Sequence, residues 1–357
     1  MKKNRKKYIA VGIICACFFA LTGCQKTENK TNTAFSLNDF VMDTVLSESV
    51  YGKKDVTKDI KSLLGELEKE QLSWREAGSQ ASVINETCGR GESVQMNEDF
   101  AFWTKTSLDL AKRSNGAFDP TIGNLTRLWN IEGDNPVVPE EKDIKDILKS
   151  VGYDRINIEE KDSAITMEKG CTLDLGAVGK GIGCDVAKEY LDGQEEVTGA
   201  VISIGGSILV YGHKPDESPW KVAVRDPEGA GGDAMGYLSL DRTACVSTSG
   251  DYEKYFEQDG KRYHHILNPS TGYPAESGLS SVTVICEISE ENDKSAGLLS
   301  DGLSTACFVL GKEKGRELLE SYGAEGIFID KEGNVFATEK AAQYFTLMNE
   351  KYELKNF

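Results

Sequence analysis

Helix-like and strand-like patterns follow one another in irregular order along the chain, and this order limits the possible fold classes. One amphipathic helix is predicted from apolar residues spaced i, i+3, i+4 and i+7 between Ile60 and Leu67, with Thr57 as its N-cap. Further helices are predicted at about 97–114, ending before Gly116, from a first-turn Pro139 to Val151, and over 185–191.

Short β-branched or alternating runs predict strands at residues 200–204, 220–224, 237–240, 281–285, 327–330 and 335–338. The last two runs flank residues 331–334, which have the composition of a hairpin turn. Helices and hairpin strands in mixed order favour an α+β fold, with antiparallel sheets and flanking helices, over a regular βαβ array.

The composition excludes one class of partner. The chain has 357 residues, enough for one large or two ordinary domains, and its 58 acidic residues outnumber its 41 basic ones. The formal net charge of −17 repels a polyanion, so we expect no nucleic acid partner. The 36 glycines indicate tight turns and loops in which backbone approaches a ligand closely.

The first residues have the pattern of a secreted lipoprotein. Basic residues between Lys2 and Lys7 precede an apolar run from Tyr8 to Ala20, which is short for a membrane span. The run leads through Leu-Thr-Gly to Cys24, as in a bacterial lipobox. We expect residues 1–23 to be a lipoprotein signal peptide, with a lipid on Cys24 anchoring the protein at the extracytoplasmic face of the bacterial cell membrane. An uncleaved signal anchor is the alternative.

After the anchor we expect a polar tether at residues 24–36, one folded domain at 37–350 and a C-terminal tail at 351–357. Six cysteines remain in the mature chain, with no C-x-x-C pair and no spacing typical of an iron–sulfur cluster. Their apolar surroundings predict small core residues, although an extracytoplasmic location leaves a disulfide open.

Residues 173–181 (LDLGAVGKG) predict a strand, a glycine-rich turn and then a helix that includes Asp185. Small residues let backbone N–H groups approach a phosphate, and Lys180 adds a positive charge. The spacing matches neither a P-loop nor a dinucleotide-binding fingerprint, so a plain tight turn is the alternative.

Histidine is rare, with three in the chain. His264 and His265 are adjacent on a predicted strand and should face opposite ways, which disfavours a shared metal ion. One of them, turned toward a cleft, is a candidate general base near neutral pH. Two half-exposed strand histidines are the alternative.

Asp301 and Thr305 are four residues apart in a run that reads as helical through Leu310, so their oxygens share one helical face. A carboxylate and a hydroxyl suit Mg²⁺ when phosphate oxygens and water complete its octahedron. An acidic protein that holds a phosphate ester has reason to use such a cation, and helix capping by Asp301 is the alternative.

Taken in order, these segments resemble the ApbE family, the FAD:protein FMN transferases, which are often membrane-anchored lipoproteins. Besides residues 173–181, the resemblance rests on residues 42–44 (MDT), 79–85 (SQASVIN), 116–123 (GAFDPTIG), 128–129 (LW), 204–206 (IGG), 224–227 (VRDP), 247–252 (STSGDY), 265–269 (HILNP) and 301–305 (DGLST). It spans nearly the whole mature chain. The resemblance implies a T-fold-like α+β architecture with FAD in a cleft between two subdomains.

The resemblance also implies site residues. Mg²⁺ would be bound by Asp301, Thr305 and the backbone carbonyl of Ala177, and His265 would be the catalytic base with His264 as its neighbour. The residues that would contact FAD are Met42, Trp74, Ala117, Phe118, Asp119, Asp174, Lys180 and Leu267.

Three positions depart from the family pattern. Gln80 stands where Glu is common, Asn124 where Pro is frequent, and Asn268 where Asp usually precedes Pro269. Asn268 keeps a turn-forming side chain but removes a charge beside the proposed base.

The implied reaction transfers FMN to a separate acceptor flavoprotein. His265 takes the proton of an acceptor Thr or Ser hydroxyl, which attacks the phosphorus nearest riboflavin and expels AMP, while Mg²⁺ neutralises the pyrophosphate. An FAD pyrophosphatase, in which water replaces the hydroxyl, needs the same groups and stays open, as does a non-catalytic FAD-binding lipoprotein. A serine hydrolase is disfavoured because the chain has no G-x-S-x-G motif.

Overall fold

The computed structural model describes residues 33–357, apart from residues 160, 162, 230 and 231. The predicted signal peptide and Cys24 lie outside these described residues. Strand β1 (Thr33–Val41) begins inside the segment predicted as tether, and β17 (Glu353–Lys355) lies inside the predicted C-terminal tail. The regular structure therefore extends beyond both ends predicted for the domain.

A nine-stranded sheet forms the centre of the fold. Its spatial order is β1, β2 (Thr44–Gly52), β6 (Val197–Ile204), β7 (Ser207–Gly212), β10 (Ala244–Gly250), β13 (Leu279–Glu287), β14 (Glu325–Asp330), β15 (Asn334–Ala337) and β17. Every neighbouring pair is antiparallel except β15 and β17. The prediction of antiparallel sheets is confirmed, as is the predicted hairpin between β14 and β15.

Three smaller sheets accompany the large one. They consist of β3 (Val94–Gln95), β5 (Ala164–Met167) and β4 (Ile156–Glu159); of β16 (Phe345–Leu347), β9 (Ala234–Leu240) and β8 (Trp220–Arg225); and of the hairpin β11 (Tyr255–Gln258) with β12 (Lys261–His264). All six runs predicted as strands lie within or overlap strands of the structure.

The described helices are α1 (Thr57–Glu66), α2 (Gln80–Cys88), α3 (Glu98–Arg113), α4 (Gly123–Trp129), α5 (Glu141–Leu148), α6 (Gly179–Asp192), α7 (Ala296–Leu310), α8 (Lys312–Tyr322) and α9 (Glu339–Tyr344). A π-helix (Leu67–Leu72) continues α1, and a 3₁₀ turn (Tyr153–Arg155) precedes β4. No helix among the described residues is both long and apolar enough to cross a membrane.

The predicted helix ends were partly right. Helix α3 starts after Asn97, whose side chain accepts the N–H of Phe100 at 2.8 Å, and the chain leaves it through Gly116 at a φ of 78°. Thr57 is not the N-cap of α1, because it is already helical and Asp55 accepts its N–H at 3.1 Å. Pro139 lies just before α5 rather than in its first turn.

Helix α6 begins at Gly179, six residues before the predicted start. The predicted glycine-rich turn is therefore helical from Gly179 onward, although glycine is a poor helix former. Residues 173–175, predicted as a strand, have no regular structure, although the turn at 176–178 is present.

The large sheet is buried on both faces. Ile202 of β6 belongs to a core packed beneath helices such as α6 and α7, whereas its neighbour Val201 belongs to a second core, which includes Val222 and Leu238 of the small sheet. A third cluster joins Trp129 of α4 to the β11–β12 hairpin region. Strand alternation produces these opposing cores.

The six cysteines of the described chain are free and buried, which confirms their prediction as core residues: Cys88, Cys171, Cys184, Cys245, Cys286 and Cys307. Cys245 and Cys286 lie directly opposite each other on β10 and β13. Burial raises the pKa of both thiols, so they are poor nucleophiles.

Candidate functional site

Helices α6 and α7 cross where one glycine of each meets the other. A β-carbon added to Gly181 would lie 2.1 Å from the carbonyl oxygen of Gly297, and one added to Gly297 would lie 2.1 Å from that of Gly181. No side chain fits at either position without displacing backbone. The glycines at the start of α6 therefore bring the first turns of two helices together.

Asp301 is the buried carboxylate of this crossing, with 3% of its surface exposed. Its Oδ2 accepts the N–H of Gly181 at 2.9 Å and lies 3.5 Å from Nζ of Lys180. No described residue donates a hydrogen bond to its Oδ1, so that oxygen is available to a ligand. Burial alone would lower the pKa of Lys180, but Asp301 and Glu253 outweigh burial and raise it, so Lys180 remains charged.

Thr305 lies one helical turn after Asp301 on α7, which confirms the predicted spacing. Its Oγ1 is 3.2 Å from Oγ of Ser249 on β10. Ala177 belongs to the turn that directly precedes α6. A carboxylate, a hydroxyl and a backbone carbonyl are ligands suited to a hard divalent cation.

No cluster of three or more His, Cys, Asp or Glu side chains in the described part of the chain could hold a metal ion. A cation bound at Asp301 would therefore need hydroxyl, backbone, phosphate or water oxygens to complete its coordination. This ligand shortage is typical of Mg²⁺ sites, in which substrate phosphates and waters supply several ligands.

Met42 and Asp43 form the two-residue turn between β1 and β2, and both have a φ of 53°. Because neither is glycine, the turn carries backbone strain that its surroundings must support. Glu68 provides such support, since its Oε2 accepts the N–H of Met42 at 2.9 Å. A β-carbon on Gly183 would lie 3.2 Å from Sδ of Met42, which places this turn against α6.

Glu68 lies in the π-helix, a helix type that frequently marks functional sites. Burial raises the pKa of its carboxyl, and the hydrogen bond from Met42 opposes that rise. The backbone oxygen of Glu68 also accepts the N–H of Ser73, next to Trp74. One residue thus links two segments predicted to contact FAD.

Trp74 is half-buried beside two arginines. The guanidinium carbons of Arg75 and Arg127 each lie 4.2 Å from the centre of its ring. Burial raises the pKa of Asp174, while the N–H of Gly176, these arginines and Trp74 oppose the rise. Trp74 and Asp174, which are far apart in sequence, are therefore neighbours.

Ala117, Phe118 and Asp119 are all buried between α3 and α4. Asp119 Oδ1 accepts both the N–H and the hydroxyl of Thr121, at 2.8 and 2.6 Å, and its Oδ2 accepts the N–H of Tyr153 at 3.0 Å. Burial raises the pKa of Asp119. Its carboxylate fixes the shape of this loop.

His264 and His265 have different surroundings, as predicted. His264 is buried, with Nε2 3.0 Å from the carbonyl oxygen of Ala275 and its ring edge-on to Phe308. His265 is half-buried, with Nδ1 3.3 Å from the carbonyl oxygen of Lys254. Because a carbonyl only accepts, this contact places the hydrogen of neutral His265 on Nδ1 and leaves Nε2 as the basic nitrogen.

Charged residues around His265 have opposite effects on its pKa. Burial, and then Lys254, lower the pKa of His265, whereas Glu132 raises it. Glu132 and Lys254 form an ion pair of 2.7 Å. The imidazole is therefore neutral at pH 7, and Glu132 supplies the nearby negative charge that Asn268 lacks.

Asn268 keeps the predicted turn-forming role. Its Oδ1 accepts the N–H and the hydroxyl of Ser270, at 2.9 and 2.7 Å. Leu267 is buried and bridges to Pro274.

Direct contacts bring together several predicted residues: Lys180 with Asp301, and Trp74 with Asp174. No hydrogen bond or ion pair within the described residues joins His265 or Leu267 to Asp301. After burial and Lys254, the charge of Lys180 also lowers the pKa of His265.

The sequence alone does not assign roles to Glu68 and Glu132, and it indicates for Ser249 no more than a place in a ligand loop. Ser249 lay inside the recognised STSGDY segment, and that was a usable signal. Glu68 and Glu132 act across 26 and 122 residues of sequence, so no local pattern marks them.

Two open surface cavities lie elsewhere. One, of about 600 Å³, is lined by residues such as Asp226 and Met348, and the other, of about 490 Å³, by residues such as Lys188 and Arg242. None of the predicted site residues lines either cavity. Neither cavity is therefore part of the candidate site.

Comparisons with known proteins identify the family of the chain. The family model described as the ApbE family matches residues 42–328. Relatives named FAD:protein FMN transferase from Treponema pallidum and Haemophilus influenzae are 29% and 28% identical. The first alignment covers 90% of this chain and 91% of the relative, and the second 97% and 99%.

Solved structures give the same result. The ApbE protein of Thermotoga maritima has a TM-score of 0.77 and 30% identity, covering 87% of this chain and 99% of that chain. The apo flavinyl transferase ApbE of Pseudomonas stutzeri has a TM-score of 0.75 and 29% identity, covering 89% and 99%. The predicted α+β architecture is confirmed, and the chain belongs to the ApbE family.

Proposed function

We propose that this chain is an FAD:protein FMN transferase, which moves FMN from FAD to a Thr or Ser hydroxyl of an acceptor flavoprotein and releases AMP. The observation that carries the proposal is the α6–α7 crossing, where Lys180 offers a positive charge and Asp301 and Thr305 offer oxygen ligands. The names of relatives aligned along nearly the whole chain support the same activity.

In this proposal Mg²⁺ is bound by Asp301, Thr305 and the backbone carbonyl of Ala177. The fit rests on the buried carboxylate whose Oδ1 has no donor among the described residues, and on the hydroxyl one turn away. When bound, Mg²⁺ would neutralise the FAD pyrophosphate and polarise the attacked phosphorus. Lys180 would hold the same anion as a point charge.

His265 would act as the general base. Its Nδ1–H donates to the carbonyl of Lys254, so Nε2 is the atom that would take the acceptor hydroxyl proton. The acceptor oxygen would form a bond to the phosphorus nearest riboflavin, and the bond from that phosphorus to the bridging oxygen would break. AMP would leave with the electron pair of that bond.

The flavin itself would be contacted by residues from several loops. They are Met42, Trp74, Ala117, Phe118, Asp119, Asp174 and Leu267. The support of the Met42 turn by Glu68 and the adjacency of Trp74 to Asp174 favour one flavin-binding surface.

The test is to incubate the protein with FAD, Mg²⁺ and a candidate acceptor and to look for an FMN adduct by intact-mass measurement. Asp301→Ala should abolish transfer, because it removes the only charged ligand, whereas Thr305→Ala should be milder since water can substitute. Asp143→Ala, at an exposed position on α5, is the control.

Release of free FMN and AMP at the same rate with or without acceptor would establish a pyrophosphatase instead. Binding of FAD without any turnover would establish a non-catalytic binding protein. Near-normal activity of Asp301→Ala at limiting Mg²⁺ would place the metal elsewhere.

We also propose that Cys24 is lipidated and anchors the protein at the extracytoplasmic face of the bacterial cell membrane. The basic start, the short apolar run and the Leu-Thr-Gly-Cys ending support this location. Mass spectrometry of the membrane fraction should find an acylated N-terminus at Cys24, and Cys24→Ser should release the protein with its activity intact. An unprocessed Met1 in the native protein would refute the anchor.

A further inference from the structure

We propose that Ser249 is a positioning residue for the metal site, because it turns the hydroxyl of Thr305 so that the oxygen lone pairs face the cation. The inference rests on the proposed Mg²⁺ site and adds a residue from β10 that need not touch the metal. It is carried by a chain of three hydroxyl groups in the buried contact between β10 and α7.

The chain of hydroxyl groups is held by three contacts of hydrogen-bond length. Oγ1 of Thr305 lies 3.2 Å from Oγ of Ser249, which lies 2.7 Å from Oγ of Ser304. Ser304 in turn donates to the backbone carbonyl oxygen of Asp301 at 2.8 Å. The chain therefore begins at one proposed metal ligand and ends on the backbone of another.

The carbonyl group at the end of the hydroxyl chain fixes the direction in which each hydroxyl donates its hydrogen. Each hydroxyl has one hydrogen, and a carbonyl oxygen only accepts. Because Ser304 gives its hydrogen to the carbonyl of Asp301, Ser249 must donate to Ser304. The hydrogen of Ser249 is then used, so Thr305 must donate to Ser249. The hydrogen of Thr305 points toward β10, and its lone pairs are left for a ligand.

Burial stabilises this orientation of the three hydroxyl groups. Ser304 is fully buried and Ser249 is 8% exposed, so water competes little with either hydroxyl. A buried hydroxyl without a partner costs free energy, which favours the fully bonded arrangement. Groups that orient a metal ligand in this way typically change metal affinity by about 10- to 100-fold when removed.

A matched control lies on the same strand, two residues before Ser249. Ser247 is also buried, and its Oγ lies 2.8 Å from Oγ of Ser300 on α7 and 3.1 Å from Oγ of Ser207. This second contact joins the same strand and helix but does not reach Thr305. Ser247→Ala should therefore weaken packing without changing the orientation of a metal ligand.

The experiment titrates Mg²⁺ alone into the full-length protein and derives a dissociation constant from the rise in melting temperature. Ser249→Ala should weaken Mg²⁺ binding by about tenfold or more, and Ser249→Thr, which restores a hydroxyl, should recover most of the loss. Ser247→Ala should bind Mg²⁺ within about twofold of the wild type, the change expected when no ligand orientation is altered.

Two results would overturn the inference alone: wild-type Mg²⁺ affinity in Ser249→Ala, or an equal loss of affinity in Ser247→Ala. Either would show that the hydroxyls only pack the core, and the transferase proposal would stand. A wild-type protein that gains no stability from Mg²⁺ and transfers FMN without it would overturn the proposed metal site and this inference together.

Discussion

Asp185 of α6 and Asp301 of α7 each bind the first turn of the other's helix. Asp185 accepts the N–H groups of Gly297 and Leu298 at 2.6 and 2.8 Å, and Asp301 accepts the N–H of Gly181 at 2.9 Å. N–H groups in the first turn of a helix have no intrahelical partner and favour an anion. This exchange fixes the distance between the Lys180 side and the Asp301 side of the site.

Asp185→Ala should lower the free energy of unfolding by about 2–4 kcal/mol, because the buried N–H groups of Gly297 and Leu298 both lose their acceptor. Urea unfolding measures the loss. Glu189→Ala, at an exposed position on the same helix, should change the free energy of unfolding by less than about 0.5 kcal/mol. Equal losses for the two variants would contradict the role given to Asp185.

Gly297→Ala should destabilise the protein by about 3 kcal/mol or more, because its β-carbon would overlap the carbonyl of Gly181 and force the helices apart. Gly65→Ala is the matched control in a helix with room, since the nearest atom to its β-carbon would be Cγ2 of Val41 at 3.8 Å. That change should be neutral or stabilise by about 0.5–1 kcal/mol. Thermal or urea unfolding of both variants checks the contrast.

Glu68→Ala should raise the dissociation constant for FAD by about tenfold, the usual scale for losing a hydrogen bond to a charged group. Glu68→Gln keeps an acceptor oxygen for the N–H of Met42 and should lose much less. Glu70→Ala, exposed in the same π-helix, controls for helix stability. Quenching of flavin fluorescence measures binding, and similar affinity in all three variants would separate Glu68 from flavin binding.

His265→Ala should reduce FMN transfer by roughly 10²–10⁴-fold while FAD still binds. His264→Ala should instead lower stability, because it empties a buried site against Phe308. Since burial and Lys254 lower the pKa of His265, its basic form persists below the pH at which an ordinary histidine gains a proton. Activity should therefore change little between pH 6 and pH 8, and a fall centred near pH 6.5 would contradict this environment.

Glu48 should make the protein less stable as pH rises. It is 1% exposed on β2, between Leu37 and Ile202, and neither carboxyl oxygen has a partner among the described residues. Burial raises the pKa of Glu48 from 4.5 to about 8. A raised folded-state pKa gives stability that is present below pH 4.5 and is lost as pH rises to about 8.

The loss assigned to Glu48 is about 5 kcal/mol, since its pKa rises from 4.5 to about 8 and one pKa unit corresponds to about 1.4 kcal/mol. Glu48→Leu should flatten the pH dependence of the unfolding free energy between pH 5 and pH 8. Glu66→Gln, at an exposed position on α1, should leave it unchanged. Urea unfolding at several pH values makes the comparison, and an unaltered slope in Glu48→Leu would show that the carboxyl is already ionised.

The parts of the fold that depend on neighbouring residues were predictable from the sequence. The cap of α3 by Asn97, the exit through Gly116 and the hairpin turn before Asn334 are set within a few residues. The ligand spacing of Asp301 and Thr305 is likewise a property of one helix.

The parts that depend on packing were not predictable in this way. Helix α6 continues through glycines that weaken an isolated helix because α7 packs against them. The contact of Glu68 with Met42 requires a folded turn beside a π-helix. Tertiary contacts override local propensity at these positions.

Strand β1 separates the start of the described chain from the Met42 turn. Its nine residues, at about 3.4 Å each, hold the Met42 turn about 30 Å from Thr33. With the proposed anchor at Cys24, the domain would be attached through the Thr33 end of this edge strand, and the Met42 turn would lie at the other end of the strand.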